Sequence, residues 1–280
     1  MIIGKAISPF ALRKKSSGGG GGTDPDAQLF ITATGISGTN ATATNQLVID
    51  LKAANIWTKM KAVYPIVGGT ATSHKFNLKN PLDTDAAFRL SFIGGWTHSS
   101  TGMLPNGTNA LADTYIAPTS NISLNNQHLS YYSRTSAMQS GTNYVMGSYN
   151  GGGSNVFALA ISSGGTVAVS FINSTNSGSF SSITHSNQSG FWMGNRPNST
   201  ANSHKLWKNG INVGSTPTNT TGSLLVNNIW LGALPNPPLA GYFGNAQCAF
   251  ASIGDGLSDA EALAFYNAVQ LFNTTLARQV

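Results

Sequence analysis

The stretch Gln247–Val280, QCAFASIGDGLSDAEALAFYNAVQLFNTTLARQV, decides how the rest of the chain is read. It opens on Cys248-Ala-Phe-Ala-Ser-Ile253, a run of small and β-branched residues that suits a buried strand. Gly254-Asp255-Gly256 interrupts the run, because glycine accepts backbone angles that other residues resist. Ser258-Asp-Ala-Glu261 has the form of a capping box, in which the Ser258 hydroxyl and the Glu261 carboxylate satisfy the first free amides of a helix. Ala262, Phe265, Tyr266, Val269, Phe272 and Leu276 then recur at steps of three and four, one face of a helix over 258–277. The stretch therefore predicts a core strand, a turn and a capped helix.

Upstream of this unit the pattern is one of strands and turns. Lys205-Leu-Trp-Lys208, Asn209-Gly210, Ile211-Asn-Val213 is the sharpest hairpin, since Asn-Gly suits the two positive-φ positions of a type I′ turn. Ile229–Leu231 supplies a strand after it. Before it, the runs Lys75–Leu78, Phe88–Phe92, Leu129–Arg134, Asn143–Tyr149, Val156–Ile161, Thr166–Ile172 and Gly190–Gly194 are separated by Gly, Asn and Ser clusters. Strands at this spacing without intervening helices predict an antiparallel sandwich or barrel. Nearer the N-terminus, Asp24-Pro25-Asp26 starts a helix that Gly35 ends. A second helix is predicted from about Thr42 to Tyr64, with Pro65 as its stop. These helices are too small to form a domain and are expected to pack on the main body or on a neighbouring subunit. The chain thus divides into a tail over 1–22, a helical segment over 23–67 and a sandwich over 68–280.

Composition narrows the function. Charged residues make up 9% of the 280-residue chain, against about a quarter in ordinary soluble domains. The net charge of +6 is confined to residues 1–80, which hold nine of the Lys and Arg and three of the acids; residues 81–280 hold six of each. A neutral main domain without a basic stripe argues against nucleic-acid binding. No run of about 20 apolar residues is present to insert into a membrane. The basic cluster of the N-terminus follows its apolar residues instead of preceding them, so it lacks signal-peptide order, and synthesis in the cytoplasm is expected.

The chemistry-bearing residues are sparse. No acid lies between Asp113 and Asp255, and the one glutamate, Glu261, is explained as a helix cap. Paired carboxylates of the kind that cleave glycosides are therefore not evident. His74, His98, His128, His185 and His204 show no metal-ligand spacing and read as surface or hydrogen-bonded core residues. No Gly-x-Ser-x-Gly elbow or phosphate loop occurs. Cys248, flanked by Ala249 and Phe250, reads as a small core residue. No cofactor and no metal is expected.

The tail has an apolar tip over 1–12, a basic cluster Arg13-Lys14-Lys15 and a Gly-rich tether. It reads either as a frayed terminus or as a docking peptide, whose contacts would come from Ile2, Ile3, Ile7, Phe10, Leu12, Arg13, Lys14 and Lys15. In the sandwich, loops rich in Asn, Ser, Gly and Tyr suit sugars, whose hydroxyls need donors and acceptors and whose ring faces stack on aromatics. Trp96, His98, Tyr144, Tyr149 and Trp192 are the candidate glycan contacts, with core packing as the alternative for the aromatics.

Two resemblances extend this reading. Trp207-Lys-Asn-Gly210, Ile229-Trp-Leu-Gly232 and the segment Cys248–Glu261 resemble, in order and spacing, the hairpin, following strand and closing segment of concanavalin-like jelly rolls of the laminin-G and pentraxin group. That resemblance implies a jelly-roll β-sandwich over about 70–280. More of the chain resembles virion proteins of tailed bacteriophages: Leu47-Val-Ile-Asp-Leu-Lys, the run Trp57–Pro65, Phe92-Ile-Gly-Gly-Trp-Thr-His98 and Ser130-Tyr-Tyr-Ser-Arg-Thr135. This implies a non-enzymatic fibre, spike or decoration protein on the particle surface. Its tail would dock on capsid or tail proteins and its jelly roll would face host-surface carbohydrate; a homotrimer is expected by the same analogy. A polysaccharide-degrading enzyme on the same fold and a purely structural decoration are the alternatives. The acidic strand of sugar-cleaving relatives and the acid cluster of calcium-binding ones are missing here.

Overall fold

The computed structural model describes residues 22–151, 155–174, 180–216, 222–236 and 238–280. Two eight-stranded antiparallel sheets face each other, and one small ribbon lies outside them. The first sheet runs β14 (Ile211–Ser215), β13 (Lys205–Lys208), β12 (Gly190–Arg196), β6 (Gln127–Ser133), β18 (Cys248–Gly254), β4 (Gly102–Pro105) and β3 (Trp96–Ser99), and β1 (Met60–Tyr64) also pairs with β18. The second runs β11 (Phe180–Thr184), β10 (Val167–Ser174), β9 (Val156–Ser163), β8 (Met146–Tyr149), β15 (Trp230–Leu231), β5 (Leu111–Asp113) and β2 (Ser91–Ile93), with β7 (Thr142–Asn143) beside β9. The ribbon pairs β16 (Leu234–Asn236) with β17 (Leu239–Gly241). This is the mainly β, antiparallel jelly-roll sandwich expected.

Both faces of β6, β12 and β18 are covered, so every residue of each is buried, polar ones such as His128, Ser130, Asn195 and Ser252 included. Their inner sides, among them Tyr131, Trp192, Ala251 and Ile253, meet Phe157, Leu159 and Ile161 of the second sheet in the central core. Their outer sides, with Tyr132, Phe191, Met193 and Phe250, are covered by a helical layer. That layer comprises α1 (Pro25–Thr34), α2 (Gly38–Ala53) and α5 (Asp259–Thr275); two single-turn helices, α3 (Ala71–His74) and α4 (Pro118–Asn121), lie in connections. The predicted caps are in place. Asp24 accepts from the Asp26 amide, Gly35 takes φ 69° at the end of α1, and Ser258 and Glu261 close the box at α5. The 209–210 turn is left-handed at both positions, with φ 49° and 76°.

Three local expectations are corrected. The second helix stops at Ala53, because Asn55 turns left-handed (φ 58°) and Val63 and Tyr64 are more stable in a strand paired with β18. Leu47, Val48 and Leu51 face the core from the helix, while Trp57 and Met60 reach the same core from a turn and a strand. Lys75–Leu78 is not a strand: the Asn77 side chain accepts from the Val63 amide (2.9 Å) and donates to the Ala87 carbonyl (3.1 Å), pairing backbone groups that a ladder would otherwise pair. In the run from Phe88, Phe88 is left-handed (φ 60°) and only Ser91–Ile93 pairs.

One cation locks these layers together. Arg278 is 1% exposed, and its guanidinium donates to the carbonyls of Ile66 (2.6 Å), Pro65 (2.7 Å) and Ala249 (2.8 Å) and to Asn273 Oδ1 (2.9 Å). Carbonyl dipoles from the end of β1 and from β18 thus do the work that a carboxylate does in an ion pair.

Candidate aromatic pocket and acidic groove

Strand alternation puts a second apolar surface on the outer side of the second sheet, away from the helices. While Phe157, Leu159 and Ile161 point inward, Val156, Ala158 and Ala160 point outward and join Tyr144, Tyr149, Val169, Phe171 and Leu234 in a separate cluster. The segment between Gly232 and Gly244 covers part of it. Its ends are pinned together by the Gly244 amide on the Gly232 carbonyl (2.8 Å), and its ribbon packs on β8. Gly147 lets β8 lie close against β9 beneath it: a Cβ there would lie 2.4 Å from the Ala158 Cβ, at φ +155°.

The ribbon separates two concavities. On one side, Tyr144, Tyr149 and Tyr242 surround a pocket of about 200 Å³ whose walls also include Thr142, Val156 and Leu234. The Tyr242 ring meets Tyr144 and Tyr149 edge-on, at centroid distances of 5.7 and 6.4 Å. Burial, then the neighbouring phenols, pushes the Tyr144 hydroxyl up to about 12, so it stays protonated as a donor. Tyr242 is 40% exposed and held at φ 58°. A bulky residue in that region costs on the order of 1–3 kcal/mol and such strain gathers at ligand clamps.

On the other side lies a groove of about 360 Å³, lined by Asp113, Asn227, Asn228 and Trp230 and by ribbon residues that include Pro235 and Asn236. Asp113 and Trp230 are cross-strand partners, so their side chains share the outer face. Asp113 accepts from the Tyr115 amide through Oδ1 (2.8 Å) and from Asn228 Nδ2 through Oδ2 (3.2 Å). Asn227 Nδ2 donates to the Tyr149 carbonyl (2.8 Å), tying the groove to the strand that carries the tyrosine pocket.

Of the glycan candidates, Tyr144 and Tyr149 are brought together here. Trp96 and His98 lie elsewhere, on β3, in an aromatic cluster with Phe92 and His74. Trp96 donates to the Ile93 and Leu111 carbonyls and packs its ring over Gly232. His74 accepts from the Gly69 amide at Nε2, so its Nδ1 carries the proton that bonds His98 Nδ1 at 2.9 Å. Trp192 is a correction: it is 0% exposed in the central core, with its N–H on the Gln188 carbonyl (3.0 Å), and no ligand reaches it. Tyr242, Asp113, Asn228 and Trp230 were missed. The only signal for Tyr242 is an aromatic pair between glycines, Gly241-Tyr-Phe-Gly244. The anchoring candidates Ile2, Ile3, Ile7, Phe10, Leu12, Arg13, Lys14 and Lys15 lie outside the described residues.

Other polar clusters have structural partners. His128 bonds Ser252 Oγ (3.0 Å), which bonds Ser130 Oγ (2.7 Å), and His204 bonds Ser170 Oγ (3.1 Å). All five side chains are at most 3% exposed, so no substrate meets these Ser–His contacts. Glu261 takes the Ser258 amide and Lys59 Nζ (2.7 Å). Its burial is outweighed by the Lys59 and Ser258 bonds, which hold the carboxyl below its usual range. Among the described residues no group of three or more His, Cys, Asp or Glu could hold a metal ion, and no helix is long and apolar enough to cross a membrane.

The architecture defined by these layers is an antiparallel jelly-roll β-sandwich. Among solved structures, the chain is similar to the binding domain of botulinum neurotoxin DC in complex with rat synaptotagmin II, with a TM-score of 0.52 and 11% identity over 77% of this chain and 52% of that one. It is also similar to the crystal structure titled HCR/D-Sa-GBL1/C, with a TM-score of 0.50 and 10% identity over 76% and 53%. The chain spans about half the length of these structures, and at such identities the likeness is one of fold. No protein-family model and no curated protein matches the chain.

Proposed function

We propose that this chain is a non-enzymatic attachment module that holds host-surface carbohydrate on the outer face of its second sheet. The observation that carries this reading is the convergence of Tyr144, Tyr149 and strained Tyr242 around one open concavity. Edge and face of phenol rings, with their hydroxyls, suit the apolar faces and hydroxyl rims of sugar rings. The similarity in fold to a neurotoxin binding domain offers a precedent for attachment by this architecture. The sealed Ser–His contacts and the capped Glu261 favour binding over catalysis.

The wider context rests on the sequence resemblance. In it, the module is displayed on a bacteriophage particle as a homotrimer, and residues 1–22 join it to capsid or tail proteins. A glycan array with labelled protein tests the binding reading, and Tyr242→Ala is expected to remove the signal at an unchanged unfolding midpoint. An array without a hit, or a variant that binds like the parent, refutes it. Release of reducing sugar from host capsule would instead establish the enzyme. Particles assembled with protein lacking residues 1–22 test the anchor: incorporation at the parent level refutes it.

A further inference from the structure

The tyrosine pocket accounts for one side of the ribbon, and the groove on the other side has different chemistry. Trp230 lines it, and its one charged lining residue, among those described, is Asp113. We infer that this groove is a second sugar subsite, specific for a neutral hexose or N-acetylhexosamine that presents two adjacent hydroxyls to Asp113; this rests on the attachment reading above.

Three observations lead there. A carboxylate offers about four lone-pair positions, and here the Tyr115 amide and Asn228 Nδ2 occupy one on each oxygen. One position on each oxygen is left, on a side chain already held in place, and a pair of neighbouring hydroxyl donors complements that arrangement. The Asn228 and Asn236 side chains beside it add amide donors and acceptors for further hydroxyls or for an acetamido group. Second, Trp230, the cross-strand partner of Asp113, supplies the aromatic component of a sugar site in the same lining. Third, the size is right: about 360 Å³ falls in the range of about 300–1,000 Å³ usual for small-molecule sites.

Charge sets the selectivity. Among the described residues no Lys or Arg lines the groove to offset Asp113, so an acidic sugar meets a like charge, which disfavours it. The contact proposed is direct, from sugar hydroxyls to Asp113, so binding is expected to survive chelation.

The test titrates full-length protein, in the presence of EDTA, with the methyl glycosides of glucose, galactose and N-acetylglucosamine as neutral probes and with glucuronate as the acidic one. Binding is read from the Trp230 indole N–H resonance and by calorimetry. At least one neutral probe is expected to move the Trp230 resonance and to bind at least 10-fold more tightly than glucuronate. Asp113→Ala should weaken it at least 10-fold. Asp113→Asn keeps the shape and the Tyr115 contact, so it covers the case in which Asp113→Ala fails to fold; it should narrow the discrimination against glucuronate. Glucuronate binding as tightly as the neutral probes, or Asp113→Asn binding and discriminating like the parent, overturns the subsite. If the parent also binds array glycans through Tyr242, the attachment reading survives that failure. Neutral probes that never move Trp230, on a chain blank on the array, overturn both.

Discussion

Replacing Arg278 by Ala removes four hydrogen bonds at once and leaves the carbonyls of Pro65, Ile66 and Ala249 facing a cavity. An unpaired buried polar group costs about 1–3 kcal/mol, so three carbonyls give about 3–9 kcal/mol before relaxation. Water entering the vacated space recovers part of this, and breaking a buried charge network typically costs about 3–5 kcal/mol. We expect a loss of about 4 kcal/mol, about a quarter or more of the roughly 5–15 kcal/mol that stabilises a domain. Arg278→Lys keeps the charge but has a compact ammonium in place of the planar fork, so it should lose about 1–3 kcal/mol. The assay is urea unfolding followed by tryptophan fluorescence, with midpoint and slope compared. An Arg278→Ala midpoint within about 0.5 kcal/mol of the parent at the same slope would falsify the claim that carbonyl dipoles at this arginine join β1 to β18.

Three further outcomes are expected. Burial pushes His74 and His204 down to about 3 and His128 down to about 4; the unfolded chain binds protons at these groups near pH 6.5. Below that pH the unfolded state holds more protons, so stability is full above about 6.5 and falls as pH drops toward 4, by up to roughly 4 kcal/mol per unit for three such groups. Urea midpoints from pH 7 to 4 check this, and His204→Asn should flatten the slope. Glu261→Ala should cost about 1–2 kcal/mol through the cap and Lys59, Glu261→Gln no more than half as much, and neither should alter glycan binding; loss of binding at normal stability would give Glu261 a role at the ligand. Gly147→Ala forces β8 away from β9, so a loss on the order of 2–4 kcal/mol together with weaker sugar binding is expected; parental behaviour in both would contradict the close packing there.

Fold was legible where a residue's local preference agrees with its tertiary surroundings. Ser258 and Glu261 cap a helix, and Asn209-Gly210 turns a hairpin, through groups a few residues apart. Where a distant partner decides the outcome, local pattern misled. Trp57 and Met60 kept helical spacing, yet the free edge of β18 drew Met60–Tyr64 into a strand. Asn77 and Arg278 look like surface polar residues until the carbonyls and amides they satisfy come together from elsewhere in the chain. The candidate site was half legible for the same reason. Tyr144 and Tyr149 lie on or beside one strand, but whether an aromatic such as Trp192 faces solvent or core depends on a register that only sheet pairing defines. Asp113 and Trp230 are 117 residues apart and became neighbours through that pairing.

The position of β18 bears on how the protein is made. Cys248–Gly254 lies between β6 on one side and β1 and β4 on the other, so the strand that completes the first sheet is the last of that sheet to be synthesised. Until it leaves the ribosome, the partners of Met60–Tyr64 do not exist, and the apolar faces of β6 and β12 have neither their central neighbour nor the α5 helix to cover them. Pairings across such sequence distances are slow to form. A nascent chain of this protein therefore carries its stickiest surfaces uncovered until Cys248–Gly254 and the α5 helix have emerged, and the first sheet closes only then.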